Sequence, residues 1–298
     1  MSWEEGLRRF EIHMRAAGKS PNTISAFLRD LHKFATSQIV ELENVTTADL
    51  DAFLAGQQFK PDGTPRSPNS LNRLKTALRS FFGWMHGTGI VEVNPASGVR
   101  TTSINQKPPV YLTDQEERDL LHCLRDYGTK AHTLRDAAII NLLLDTGIRV
   151  GELVSLDVED IDGKHLRIRR AKGGSPIAKF LPVRTRKAID AYLRRVRPHL
   201  DRSENDRALF LNQQGTRLQA RAVQLLVPAW IKRAGIAKPV TPHTLRHTFA
   251  TSLLNKTGNL LLVQKALGHS NVTTTQIYAH VADSTLETAV ESRTALKV

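Results

Sequence analysis

Thr241-Pro-His-Thr-Leu-Arg-His-Thr-Phe-Ala-Thr251 is the stretch on which the reading of this chain turns. Threonine followed by proline is a helix start: the threonine caps, and the proline takes the first helical position, where a missing N–H costs nothing. His243 and Arg246 then stand three residues apart, which on a helix puts both side chains on one face. They fall in the first turn, beside unpaired backbone N–H groups and the positive end of the helix dipole, a setting that suits an anion. Taken alone, a His-x-x-Arg is more often a pair making local hydrogen bonds.

Four further polar residues stand in short contexts of their own. Arg149 lies in Thr146-Gly-Ile-Arg-Val-Gly-Glu-Leu153, just past an apolar run, with Glu152 placed either as its ion-pair partner or as a residue that orients it. Lys172 sits beside two glycines at a hairpin tip. It reads as a solvated turn lysine, or as a lysine inserted into a site as general acid with a pKa lowered by neighbouring arginines. His269 follows Leu267-Gly268, where a capping histidine would also stand. Tyr278, in Thr273-Thr-Thr-Gln-Ile-Tyr-Ala-His280, is by itself an ordinary partly buried aromatic. As a set, two arginines, a lysine and two histidines can build a metal-free pocket for a phosphodiester, and a tyrosine can attack one.

Bulk properties agree with a polyanionic partner. The chain has 298 residues, enough for two domains, and a formal net charge of +13. The excess is uneven: residues 1–100 carry 12 Lys and Arg against 10 Asp and Glu, whereas residues 101–298 carry 30 against 19. Nucleic acid is favoured over membrane. A single cysteine, Cys123, excludes an internal disulfide and a Cys-rich zinc site, and fits a reduced, cytoplasmic location. No secretory signal and no apolar run near the length of a membrane span is visible.

The N-terminal part reads as four helices. Ser2 with Glu5 forms a capping-box pattern before Leu7, Phe10, Ile12 and Met14. Ser20-Pro21 opens a second helix through Ile24, Phe27, Leu31 and Phe34, and Thr47 a shorter one through Leu50, Phe53 and Leu54. After a breaker-rich loop over 60–66, Ser67-Pro68 opens the fourth, through Leu74, Leu78, Phe81 and Met85 to a stop near Gly87. Residues 1–95 are thus a helical domain, 96–110 a linker without apolar periodicity, and 111–298 a second domain. In the second domain Thr113 with Glu116 caps a helix, and Leu134 to Leu144 is a strongly apolar one ending at Gly147. The alternation over 165–170 and the run 177–183 flank the Lys172 turn as a β-hairpin. Further helix starts are expected near Arg184, Arg217, Thr241, Asn259, Asn271 and Asp283. The fold class is mainly α with one small antiparallel sheet.

The order of these residues, from Arg through Lys, His-x-x-Arg and Leu-Gly-His to a Tyr nine residues later, resembles the tyrosine recombinase (phage-integrase-like) family, closest to its Xer-type bacterial members. The resemblance spans nearly the whole chain. Residues 20–34 resemble the second helix of that family's core-binding, SAM-like domain, and 245–254, 263–269 and 273–280 resemble its catalytic signature. It implies a site-specific DNA recombinase, active without metal, ATP or other cofactor, that cuts and rejoins duplex DNA through a 3′-phosphotyrosyl intermediate. Tyr278 is then the nucleophile, His243 the base or proton relay, and Arg149 and Arg246 the grips on the non-bridging oxygens. His269 is a further donor and Lys172 the acid for the leaving 5′-oxygen.

The family works as a tetramer, homo- or hetero-, on two DNA sites with inverted binding arms. Residues 283–298 are in that case an exchanged segment with a modest apolar face of Leu286, Ala289, Val290 and Leu296. Arg73, Lys75 and Arg79 are candidate DNA contacts on the fourth helix, or ordinary solvated charges. The Lys172 hairpin is about two residues longer than the usual Xer turn and lacks the basic residues that closely follow the lysine there; the C-terminus also departs from the Xer ending. These departures leave open chromosome or plasmid dimer resolution, with its link to cell division and a DNA translocase, against integration of a mobile element. Two other readings are a type IB topoisomerase-like enzyme and a non-catalytic DNA-binding protein, which has no need of the tyrosine.

Overall fold

The computed structural model describes residues 1–37, 40–103, 109–127, 131–169, 176–202 and 207–268. The chain divides into two compact units, Met1–Asn105 and Gln106–Val298.

The first unit is built on helices α1 (Trp3–Ala16), α2 (Pro21–Ala35), α3 (Thr47–Gly56) and α4 (Pro68–Gly87). Their starts are chemical. Ser2, Ser20, Thr46 and Ser67 each accept a bond from the backbone N–H three residues on, and Pro21 and Pro68 occupy the first turns. Phe10, Leu31, Phe34, Leu78, Phe81, Phe82 and Met85 are fully buried where the four helices meet. Ile12 is 55% exposed, because the stripe that packs is Leu7, Phe10 and Met14 and position 12 lies off it. Between α2 and α4 the buried Asp30 carboxylate receives Arg73 Nε at 2.7 Å and Nη2 at 3.2 Å.

The linker expected over 96–110 begins later than the sequence suggests. Ala96 and Val99 are buried in the helical core, and Asn72 both donates to the Thr102 carbonyl and accepts from its N–H. Two buried apolar side chains are too few to show as periodicity.

The second unit is wrapped around α6 (Ala131–Thr146). Ala138, Ile139, Ile140, Leu142, Leu143 and Leu144 are all buried, so this helix is covered all round rather than along one stripe. It packs on α8 (Val183–Arg195) and α11 (Pro242–Thr257), with α5 (Asp114–Asp126), α7 (Val150–Ser155), α9 (Arg197–Leu200), α10 (Ala220–Arg233) and α12 (Leu260–Leu267) completing the layer. The sheet is antiparallel in the order β1 (Ile161–Asp162), β2 (His165–Ile168), β3 (Ile177–Phe180), one strand more than the hairpin expected. β3 stops short of 183 because Pro182 caps α8.

The helix expected from Arg217 starts at Ala220. Arg217 itself donates to the carbonyls of Val154 and Leu156 and to Asp157, and so ties α7 to the chain before α10. The starts expected near Asn271 and Asp283 lie outside the described residues. Among the described residues no helix is long and apolar enough to cross a membrane.

Candidate active site

Three elements meet: the end of α6, the first turns of α11 and the end of α12. The first is the end of α6, where the Gly147 N–H bonds the Leu143 carbonyl at 3.0 Å and its φ of +57° reverses the chain. A Cβ at this position would overlap the ring of Phe249 and crowd Leu267. Gly147→Ala therefore combines a left-handed backbone with overpacking, and should lower stability by about 3 kcal/mol, read from the urea midpoint at unchanged slope.

Two residues beyond Gly147, Arg149 forms the N-cap of α7 with extended backbone. Glu152, 7% exposed, holds it twice: one carboxylate oxygen accepts the Arg149 backbone N–H at 2.8 Å, and the other accepts Nη1 at 2.9 Å. Glu152 is therefore partner and orienter at once. The Arg149 side chain keeps 31% of its surface accessible.

The second element is α11 itself. Thr241 and Thr244 close a capping box, with Pro242 in the first turn. Arg246 is 3% exposed and reaches across the unit, Nη1 donating to the Gly147 carbonyl and Nη2 to the Leu267 carbonyl at 2.8 Å. One guanidinium thus joins the end of α6 to the end of α12. One turn earlier, His243 packs edge-on against His247, with ring centroids 4.4 Å apart. Partial burial, then the charges of Arg246 and Arg149, push the His243 pKa below the usual imidazole value. The shift favours the uncharged ring, the form that can accept a proton.

The third element is the end of α12. Gly268, with φ +65°, caps the helix, and a Cβ there would lie 2.5 Å from Ile177 Cδ1. Ile177 begins β3, and two residues on the same face comes Lys179, paired with Leu166 of β2. Lys179 is 8% exposed, with Nζ donating to the Thr146 carbonyl at 3.0 Å and to the Ala266 carbonyl. Burial, and then the charges of Arg246 and Arg149, lower its pKa to about 8.

Arg149, His243 and Arg246, read from the sequence as one site, are therefore electrostatically coupled neighbours in the structure. Lys172, His269 and Tyr278 lie outside the described residues. Lys179 was not singled out from the sequence. Its signal was the alternation of β3, which places it between Ile177 and Leu181 on the inward face, where a lysine requires partners. With Glu152 as the carboxylate among these cations, the cluster suits an anion. Among the described residues no group of three or more His, Cys, Asp or Glu could hold a metal ion. Of the proposed DNA contacts, Arg73 is engaged by Asp30, Lys75 Nζ stands 3.5 Å from Thr102 Oγ1, and Arg79 is exposed.

Residues 110–285 match the phage integrase family, and residues 7–89 match the phage integrase N-terminal SAM-like domain. The chain is 37% identical over 280 residues to tyrosine recombinase XerD of Mycobacterium tuberculosis, covering 89% of this chain and 88% of the relative. It is 36% identical over 289 residues to tyrosine recombinase XerC of Herpetosiphon aurantiacus, covering 94% and 92%. Among solved structures it is similar to the XerH site-specific recombinase bound to palindromic difH substrate in a post-cleavage complex. That match has a TM-score of 0.72 and 26% identity, covering 90% of this chain and 78% of the other.

Proposed function

Because the chain belongs to the phage integrase family, as a tyrosine site-specific recombinase of the Xer type that cuts and rejoins DNA, we propose that Tyr278 is its nucleophile and that Arg149, Lys172, His243, Arg246 and His269 complete the site. The Tyr278 phenol oxygen attacks phosphorus, the bond from phosphorus to the 5′-oxygen breaks, and a 3′-phosphotyrosyl linkage and a free 5′-hydroxyl result. The phosphodiester energy is kept for rejoining. The observation that carries this reading is the cluster itself: His243, its pKa lowered, beside two guanidinium groups held by separate networks.

A phenol of ordinary pKa, about 10, needs a base nearby, and His243 serves as base or relay. Arg149 and Arg246 stabilise charge on the non-bridging oxygens, His269 adds a donor, and Lys172 protonates the leaving 5′-oxygen. On α4, Lys75 and Arg79 contact phosphates; Arg73 does so only as far as its bonds to Asp30 allow. The working assembly is a tetramer on two DNA sites, with residues 283–298 exchanged between neighbours.

The test is capture of the intermediate. In EDTA and without ATP, the protein mixed with a nicked duplex carrying its site should give a covalent adduct that maps to the peptide containing Tyr278. An adduct on another residue, or none, overturns the assignment. Relaxation of any supercoiled plasmid without site preference would instead support the topoisomerase-like reading.

A further inference from the structure

Two cations tie the same two helix ends together. Arg246 bonds the carbonyls of Gly147 and Leu267, and Lys179 bonds those of Thr146 and Ala266, the residue immediately before each. The carbonyls at a helix C-terminus carry the negative end of its dipole and lack intrahelical partners, so buried cations are well matched there. The two straps lie on consecutive residues of both helices. Together they fix the segment leading to Arg149 against the end of α12 at Gly268. We infer that Lys179 is a positioning residue for DNA cleavage, and that its charge sets the spacing between Arg149 and the C-terminal end of α12 at Gly268. It touches no reacting atom.

The surroundings of Lys179 explain why a lysine stands there at all. From β2 it faces Leu166, and from α6 and α12 the two carbonyls. Its charged neighbours are Arg246 on α11 and Arg149 and Glu152 around α7, of which only Glu152 favours the ammonium. Desolvation dominates, and the ammonium loses its proton near pH 8. Above that pH the amine still bonds the carbonyls, but without charge, and the second strap weakens.

The inference rests on the cleavage reading, which wild-type adduct formation tests separately. Its own test is single-turnover cleavage of a nicked duplex by wild type, K179M and K179R, with DNA affinity measured alongside as the check on folding. K179M should bind DNA within about twofold of wild type and cleave roughly 100-fold more slowly, the loss expected of a misplaced catalytic group. K179R keeps a charge that does not titrate and can reach both carbonyls, so it should recover most of the rate.

The pH profile separates positioning by charge from packing. Wild-type cleavage should fall above about pH 8, and in K179R that fall should move to higher pH, leaving only the limb of the general acid. A 5′-bridging phosphorothiolate, which needs no acid at the leaving group, should rescue Lys172→Ala but not K179M. Wild-type cleavage by K179M, an identical alkaline limb in K179R, or phosphorothiolate rescue of K179M would each overturn the inference; the last would make Lys179 the general acid instead.

Discussion

Arg246→Ala should lower single-turnover cleavage by about 10³-fold, the scale seen when one preorganised donor is removed from a developing charge. The loss has two parts. The proposed grip on the phosphoryl oxygens goes, and the carbonyls of Gly147 and Leu267 lose a buried donor. Each such carbonyl costs about 1–3 kcal/mol if no water replaces the bond, so the denaturation midpoint should fall as well. Arg246→Lys should recover little, because a point charge cannot reproduce a planar fork that bridges two separate carbonyls. Cleavage by Arg246→Ala within tenfold of wild type, in a variant as stable as wild type, would remove Arg246 from both roles.

Tyr278→Phe should abolish the covalent adduct altogether, since no other phenol is proposed to reach the phosphorus. DNA affinity should stay within about twofold, because binding is spread over many phosphate contacts and one hydroxyl adds little. The two readouts are a detergent-resistant protein–DNA band on a nicked duplex and a gel-shift titration. An adduct that persists in Tyr278→Phe would move the nucleophile elsewhere. Loss of binding with loss of adduct would instead make the tyrosine a docking residue.

Helix starts were legible because their chemistry is local. Ser2, Ser20 and Thr113 cap within three residues, and each bond is present in the fold. The arginine at 149 and the pair at 243 and 246 are assigned to one site by their order along the chain, which resembles that of the tyrosine recombinase family; each motif alone is ambiguous. What could not be read were bonds to main-chain carbonyls, which leave no mark on residue type. Lys179 is joined to partners 33 and 87 residues away, and Arg246 to Gly147 across 99, with nothing in the sequence of Thr146, Gly147, Ala266 or Leu267 to announce it. The same holds for Arg217, whose carbonyl bonds to α7 delay the helix to Ala220. Arg73 reads from the sequence as a DNA contact or a solvated charge, because its partner, Asp30, sits on another helix 43 residues earlier.

Glu152 grips Arg149 at both its backbone and its guanidinium, and this has a thermodynamic consequence. A free arginine side chain carries about 2 kcal/mol of rotamer entropy, which an anion would ordinarily have to suppress as it docks. Here that freedom is surrendered when the domain folds, long before any phosphate arrives. Arg149 meets its ligand as a rigid surface rather than a flexible tether, so the attraction between them goes into placing the phosphorus and not into quieting the side chain.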